Sequence, residues 1–332
     1  MQTSELRQDK ATRQWVIFAP ARRKRPRDFL PDSRGKEEVP PYEEGCPFCH
    51  GNDHLLPTIL YESRGADGSW RTRVVANKFP ALTPEGETRR IPRGGFLAMR
   101  GYGHHEVIIE TPAHDRHPGR MSPDELEAVV ETYHKRYSDL LKFEKNLMVI
   151  LFRNHGKSAG TSLLHPHSQV ISTGVVPHHV RWREEEARRY FDEWGRCVYC
   201  DILAEETREG RRMVLENPSF AAFVPYAAEV PFETWIVPRR HRADFGNIDD
   251  KEKKDLAAAL GDVLGMFRTR LSDPDYNYVV NTAARQRAGD LPLHWYLRIR
   301  PRLVTPAGFE MGSGMSINPS VPEEDAALLR GA

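Results

Sequence analysis

Cysteine is scarce in this chain, and none of it is left over. All four cysteines fall in two Cys-x-x-Cys pairs, Cys46 with Cys49 and Cys197 with Cys200. In a chain that opens without the apolar core of an export signal, such pairs are metal ligands before they are disulfides. Excess charge is missing too. The 48 basic and 47 acidic residues leave a net charge of +1, which removes the global electrostatic reason to expect nucleic acid or an anionic membrane as a partner. No stretch approaches the roughly 18 consecutive apolar residues that a spanning helix needs. The expectation is a cytoplasmic, reduced protein. Its 332 residues, 39% hydrophobic and 29% charged, suffice for two domains of ordinary size or one fold of two similar halves.

What is present is a metal-ligand pattern that occurs twice. Cys46, Cys49, His114 and His165 have the ligand types of a tetrahedral zinc site, and Cys197, Cys200, His241 and His294 repeat them. The interval between histidines is 51 residues in the first set and 53 in the second. Each first histidine follows a strand-like run (residues 106–110 and 232–237), and each is followed by a helix and then a strand. Retained spacing in diverged sequence marks an internal duplication that carries two structural zinc ions. Only one copy keeps a further histidine. His167 stands two residues beyond His165, whereas Tyr296 holds the matching place after His294, and Arg298 matches Gln169. Strand residues two apart share a face. A metal-bound His165 therefore holds His167 rigidly beside it with a free ring nitrogen, which is what attack on phosphorus requires. The chemistry belongs to a first half, residues 1–180, and residues 181–332 form a degenerate second half with a structural metal site.

Local signals fill in the elements. Ser122-Pro123-Asp124-Glu125 is a capping box with proline at the first helical position. It opens a helix whose apolar residues Leu126, Val129, Val130, Tyr133, Tyr137 and Leu140 recur at helical spacing. Residues 147–152 then read as a buried strand. In the second half Asp249 and Glu252 cap a helix over residues 250–271, followed by a strand over 276–280. A charged helix over 181–194 links the halves, and the proline-rich stretch 31–45 is a loop. The fold class is α+β, with each half a mainly antiparallel sheet carrying a helix.

Between the strand at 147–152 and His165 lies a segment rich in small residues, from Asn154 to Leu164. Its glycines let backbone amides approach an anion closely. Gly156-Lys157-Ser158 suggests a phosphate-binding P-loop, but the earlier glycine such a loop requires falls at position 151, which is leucine. A cradle beside an in-line nucleophile fits better. Gln169 can donate to a phosphoryl oxygen there without competing as a base.

Gly160-Thr161-Ser162 followed by His165-Pro166-His167-Ser168-Gln169 resembles the active-site signature of the galactose-1-phosphate uridylyltransferases, the transferase branch of the histidine triad superfamily. The resemblance covers most of the chain. It implies two tandem histidine-triad-like halves and a ping-pong reaction in which His167 takes the uridylyl group from UDP-glucose and passes it to galactose 1-phosphate. It also implies that Gln169 holds the phosphoryl oxygens and that Ser162, with the backbone of Gly160 and Thr161, handles the phosphates. Arg22 and Arg25 match an early arginine pair that reaches phosphates in a homodimeric site. Asn77 falls in the stretch that contacts the nucleoside, and Asn154 matches a nucleotide-contacting asparagine. Phe309 and Glu310 sit where the family binds the sugar.

The chain also departs from the family's enterobacterial pattern. Arg298 and Arg300 stand where that pattern has a histidine pair for a second metal, and the second Cys2His2 set is similar to a two-zinc branch with an ADP-glucose-using member. That similarity keeps ADP-glucose phosphorolysis open as an alternative through the same covalent histidine. Two other classes compare poorly with the sequence. A zinc-bearing nucleic-acid module should be basic and has no use for His167. A histidine triad hydrolase ends its motif in a histidine able to protonate a leaving group, which Gln169 cannot do. His104, His105, His117, His178 and His179 are read as surface or loop histidines.

Overall fold

The computed structural model describes residues 3–22 and 39–331. Two short strands, β1 (Glu5–Gln8) and β2 (Trp15–Phe18), precede a first half. This half holds β3 (Ile59–Arg64), β4 (Trp70–Ala76), the hairpin β5 (Arg90–Arg93) and β6 (Phe96–Met99), β7 (Gly103–Ile109), helix α1 (Pro123–Leu141), β8 (Met148–His155) and β9 (His167–Thr173). Helices α2 (His178–Trp194) and α3 (Val198–Glu209) lead into β10 (Met213–Glu216), β11 (Phe220–Phe223), β12 (Thr234–Pro238), α4 (Asp250–Arg270), β13 (Tyr276–Asn281) and β14 (Tyr296–Pro301). The chain closes with α5 (Gly308–Ser313), β15 (Ile317–Asn318) and α6 (Pro322–Arg330).

Both long helices start where their caps dictate. The Ser122 and Glu125 side chains exchange hydrogen bonds with each other's backbone amides, and Asp249 and Glu252 do the same at α4. The apolar stripe of α1 and residues Leu256, Leu260, Val263, Leu264 and Phe267 of α4 bury against one face of the sheet. That face is built from alternate strand residues, Val149 and Leu151 on β8 and Val170 on β9 among them. The intervening residues, Ile150, Phe152 and Asn154, are less buried and share the opposite face with Gln169, which pairs with Phe152. Truncating a fully buried side chain such as Phe267 costs about 3–5 kcal/mol.

The sheet differs from the expectation of one per half. Ten strands form a single sheet in the order β10-β11-β12-β14-β13-β8-β9-β7-β4-β3, antiparallel throughout. The halves meet where β13 pairs with β8, from Tyr276 opposite His155 to Val279 opposite Phe152. A half-sheet ending at β8 would leave a row of backbone donors and acceptors unpaired, and the other half supplies their partners. The registers also express the duplication. Gln169 pairs with Phe152 as Arg298 pairs with Val279, and Phe152 and Val279 face each other. The axis relating the two halves passes between those two residues. A second, smaller correction concerns β9. Regular pairing starts at His167 rather than His165, because Pro166 has no amide to give and only its carbonyl joins the ladder, accepting from the Glu110 amide at 3.1 Å.

Candidate active site

Four buried side chains converge beside β9. His165 Nε2 donates to the Thr111 carbonyl at 2.8 Å, which leaves Nδ1 as the lone-pair nitrogen. Nδ1 lies 3.7 Å from Cys46 Sγ and 3.6 Å from Cys49 Sγ, and His114 Nδ1 lies 3.3 Å from Cys49 Sγ. Ligands bound tetrahedrally at about 2.0–2.3 Å from an ion sit roughly 3.5 Å from one another, so the spacing fits a metal. His114 Nε2 lies 3.1 Å from a Glu43 carboxylate oxygen but outside hydrogen-bond geometry. Burial pushes the Cys46 thiol up to about 11, so a thiolate there needs a cation beside it. In the second half Cys200 Sγ lies 3.2 Å from His241 Nδ1 and 3.5 Å from His294 Nδ1, with Cys197 completing the group. His294 Nε2 donates to the Pro238 carbonyl at 3.0 Å, the same device that fixes His165. Both groups can hold a metal ion.

His167 opens β9 with 7% of its surface exposed. Its Nδ1 donates to the carbonyl of His165 at 2.8 Å, so the hydrogen is committed to that nitrogen and Nε2 keeps its lone pair. Burial holds the ring below its ordinary pKa, against a smaller opposing effect of that hydrogen bond. The Phe48 ring stands edge-on, 5.6 Å from His167 between centroids. From beneath the sheet Arg153 Nη1 donates to the His167 carbonyl at 3.2 Å and pairs with Glu110. Glu110 also accepts from Tyr133 and Ser168, and Tyr278 meets Tyr133 at 2.6 Å. Both halves therefore contribute to the platform under β9.

His167 forms part of the wall of two cavities. One, of about 480 Å³, is lined by Phe48, Val75, Asn77, Phe79, Ser162 and Gln169. The other, of about 510 Å³, is lined by His117, Asn154, His155, Lys157, Thr161 and Asp273. The loop between them depends on glycine. Gly156 and Gly160 have φ of +84° and +89°, and a Cβ on Gly156 would collide with the Asp275 carboxylate. Asp275 accepts from the Ser158 amide at 2.8 Å and its hydroxyl at 2.7 Å, and Asn277 Nδ2 donates to Asn154 Oδ1 at 2.8 Å. The second half thus holds the loop of the first.

The residues singled out from sequence divide into three groups. Asn77, Ser162 and Gln169 meet His167 at the first cavity, and Asn154 and Thr161 at the second, so neighbouring Thr161 and Ser162 face different spaces. Gly160 turns the loop but lines neither. Arg22 ends an exposed turn, Phe309 is 50% exposed on α5, and the Glu310 carboxylate accepts from the Ala307 amide at 3.0 Å. None of these three lines either cavity of its own chain. Arg25 lies outside the described residues.

Two histidines read as surface or loop residues belong to the site. His105 is on β7 and donates to Gln169 at 2.7 Å. His117 packs edge-on against His155 at 4.5 Å and accepts from Arg153 at 3.3 Å. Burial, with His155 and Arg153 adding to it, pushes His117 down to about 2, so it is neutral. The alternation of His105 with Val107 and Ile109 on one strand was the signal for the first. Nothing local marks the second. His178 and His179 are exposed in the first turn of α2.

Comparison with known proteins matches both parts of the chain to domains of one enzyme. Residues 1–177 match the N-terminal domain of galactose-1-phosphate uridyl transferase, and residues 183–304 match its C-terminal domain. The chain is 35% identical to ADP-glucose phosphorylase of Arabidopsis thaliana over 333 residues, covering 99% of this chain and 93% of that one. It is 28% identical to galactose-1-phosphate uridylyltransferase of Thermotoga maritima over 339 residues, covering 98% of each. A crystal structure of ADP-glucose phosphorylase from Arabidopsis thaliana with bound ADP-glucose superimposes with a TM-score of 0.85 at 33% identity, covering 100% of this chain and 99% of that one.

Proposed function

Because the chain belongs to the galactose-1-phosphate uridyl transferase family, we propose that it moves a nucleoside monophosphoryl group from a sugar nucleotide to a phosphate-bearing acceptor through His167. The observation that carries this reading is the bond from His167 Nδ1 to the His165 carbonyl, which presents Nε2 as the nucleophile. Nε2 attacks the α-phosphorus, an N–P bond forms, and the bond to the sugar phosphate breaks. The sugar phosphate leaves as a weakly basic anion that needs no proton from Gln169. An oxygen of the acceptor phosphate then attacks from the vacated side and frees the imidazole. Gln169 donates to the phosphoryl oxygens as charge shifts among them. Hydrolysis is the weaker reading, since glutamine supplies no acid for a poor leaving group.

Two donor and acceptor pairs fit these residues. UDP-glucose with galactose 1-phosphate follows the family's name. ADP-glucose with orthophosphate is favoured by the 35% identity to the plant phosphorylase, against 28% for the Thermotoga transferase. In this reading both Cys2His2 groups hold structural zinc, the chemistry is confined to residues 1–180 of a cytoplasmic enzyme, and residues 181–332 act as support. The protein works as a homodimer. Arg22, Phe309 and Glu310 line neither of the two cavities beside His167, which fits a sugar site completed by a second copy.

Intact-mass spectrometry after brief incubation with UDP-glucose, and separately with ADP-glucose, tests the reading. One added UMP that disappears with galactose 1-phosphate establishes uridylyl transfer. One added AMP discharged by orthophosphate establishes phosphorolysis. His167→Ala should take up neither group while keeping its fold and metal. Label exchange between a sugar nucleotide and its sugar 1-phosphate that survives in His167→Ala would refute the mechanism.

A further inference from the structure

We propose that His105 is a positioning residue for Gln169, joining the wall of the Asn77 cavity to the amide that meets the phosphoryl group. The proposal rests on the reading of His167 given above. The backbone carbonyl of His105 accepts from the Asn77 amide at 2.9 Å, and its ring Nδ1 accepts from the Ala81 amide at 3.1 Å. A backbone N–H can only donate, so Nδ1 is the lone-pair nitrogen and the ring hydrogen sits on Nε2. The Gln169 atom 2.7 Å from Nε2 must therefore be an acceptor, the amide oxygen Oε1. The two hydrogens of the Gln169 amide are then directed away from His105, and Gln169 and His167 line the same cavity.

An unrestrained glutamine can turn its amide over by half a rotation. In that orientation Oε1 would oppose the phosphoryl oxygens with its own negative end. The His105 ring opposes it, because the turned amide would give up the bond from Nε2–H and put a second N–H there in its place. The opposite arrangement exists alongside. Asn77 Oδ1 accepts from the Phe79 amide at 2.8 Å, so the Asn77 atom 3.0 Å from His105 Nε2 is its amide nitrogen. Two nitrogens that both carry hydrogen form no bond. The Asn77 amide hydrogens therefore stay available to a ligand acceptor in the cavity. The turn from Asn77 to Ala81 thus has one end facing the ligand and the other bonded to the ring that orients Gln169. A nucleoside that seats well against Asn77 and Phe79 also steadies the catalytic amide, which ties recognition of the base to the rate of phosphoryl transfer.

The test is the single-turnover rate of adduct formation, with UDP-glucose and ADP-glucose both offered as donors. Thermal midpoint and bound metal are measured for each variant. At saturating donor, His105→Leu should slow adduct formation by about 10²-fold, the scale of losing one donor to a developing oxyanion. The double variant His105→Leu with Gln169→Ala should be no slower at saturation than Gln169→Ala alone, because with the donor seated the ring affects the rate through that amide. Rates that multiply in the double variant, or a wild-type rate in His105→Leu, overturn the proposal. If His105→Leu loses stability, a pair of polar variants decides the matter. The amide nitrogen of His105→Gln reaches the place of Nε2 and should restore most of the rate, whereas His105→Asn replaces only Nδ1 and should not. Equal rates for the pair overturn the proposal. A wild-type protein that forms no adduct with either donor removes the His167 reading and this role together, while multiplying rates remove this role alone.

Discussion

At position 298 the second half carries an arginine where the first carries Gln169, and that one exchange puts a half-buried ion-pair cluster at the matching position. Arg298 pairs with Glu233 at 2.7 Å and with Glu229 at 2.9 Å, and Arg300 pairs with Glu229 at 3.0 Å. Burial alone would raise Glu229, but Arg298 and Arg300 outweigh it and hold the carboxylate at about 2, against an ordinary value of 4.5. The sign follows. Because the folded value lies below the unfolded one, the stabilisation is complete above about pH 4.5 and is lost as pH falls through about 2. The interval corresponds to on the order of 3 kcal/mol. Glu229→Gln should therefore be less stable than wild type by a few kcal/mol in neutral denaturant titrations, with the gap closing below pH 4. A gap independent of pH would show that the carboxylate charge is not what stabilises the cluster. Counting from His294 located Arg298 in the sequence, but Glu229 lies in an irregular turn with no periodic signal, and Glu233, directly before β12, carries no local sign of its partner. His105 illustrates the opposite failure. Its alternation with Val107 was legible, yet its partners at Ala81 and Gln169 were visible only once the chain was folded.

The helices were the most legible elements, because their instructions are local. The capping boxes at Ser122 and Asp249 fixed the starts of α1 and α4. Helix α2 starts earlier than its charged stretch suggested, at His178, since Pro177 provides the extended entry residue. The two Cys-x-x-Cys turns were equally legible, and they separate two functions that can be removed one at a time. Cys46→Ser should lose one metal equivalent per chain and several kcal/mol of stability. It should also lose adduct formation, because the carbonyl that fixes His167 belongs to the ligand His165. Cys197→Ser should lose the other metal with a comparable drop in thermal midpoint, while the adduct still forms. Metal analysis of both variants alongside the mass assay checks this. Full adduct formation in Cys46→Ser would mean that the first cluster does not position the nucleophile.

On the scale of the whole molecule, the duplication and the α+β class were readable from repeated spacing, but the joining of two sheets into one was not. Strand pairing between residues more than a hundred positions apart leaves no local mark. The buried core runs without interruption from α1 and β4 to α4 and β14, so the halves share one interior. No helix among the described residues is long and apolar enough to cross a membrane. The axis between Phe152 and Val279 governs what each half does when cut from the other. A fragment ending at residue 177 would expose the edge of β8 from Phe152 to His155, and the partner strand that fits that edge is by symmetry a copy of itself. Two such fragments can pair β8 against β8 with Phe152 opposite Phe152, rebuilding a ten-stranded sheet with a copy of His167 on either side. Light scattering on the purified fragment should give twice the fragment mass. A folded, monomeric fragment would show that the seam between the halves is specific to β13 and not a property of the edge itself.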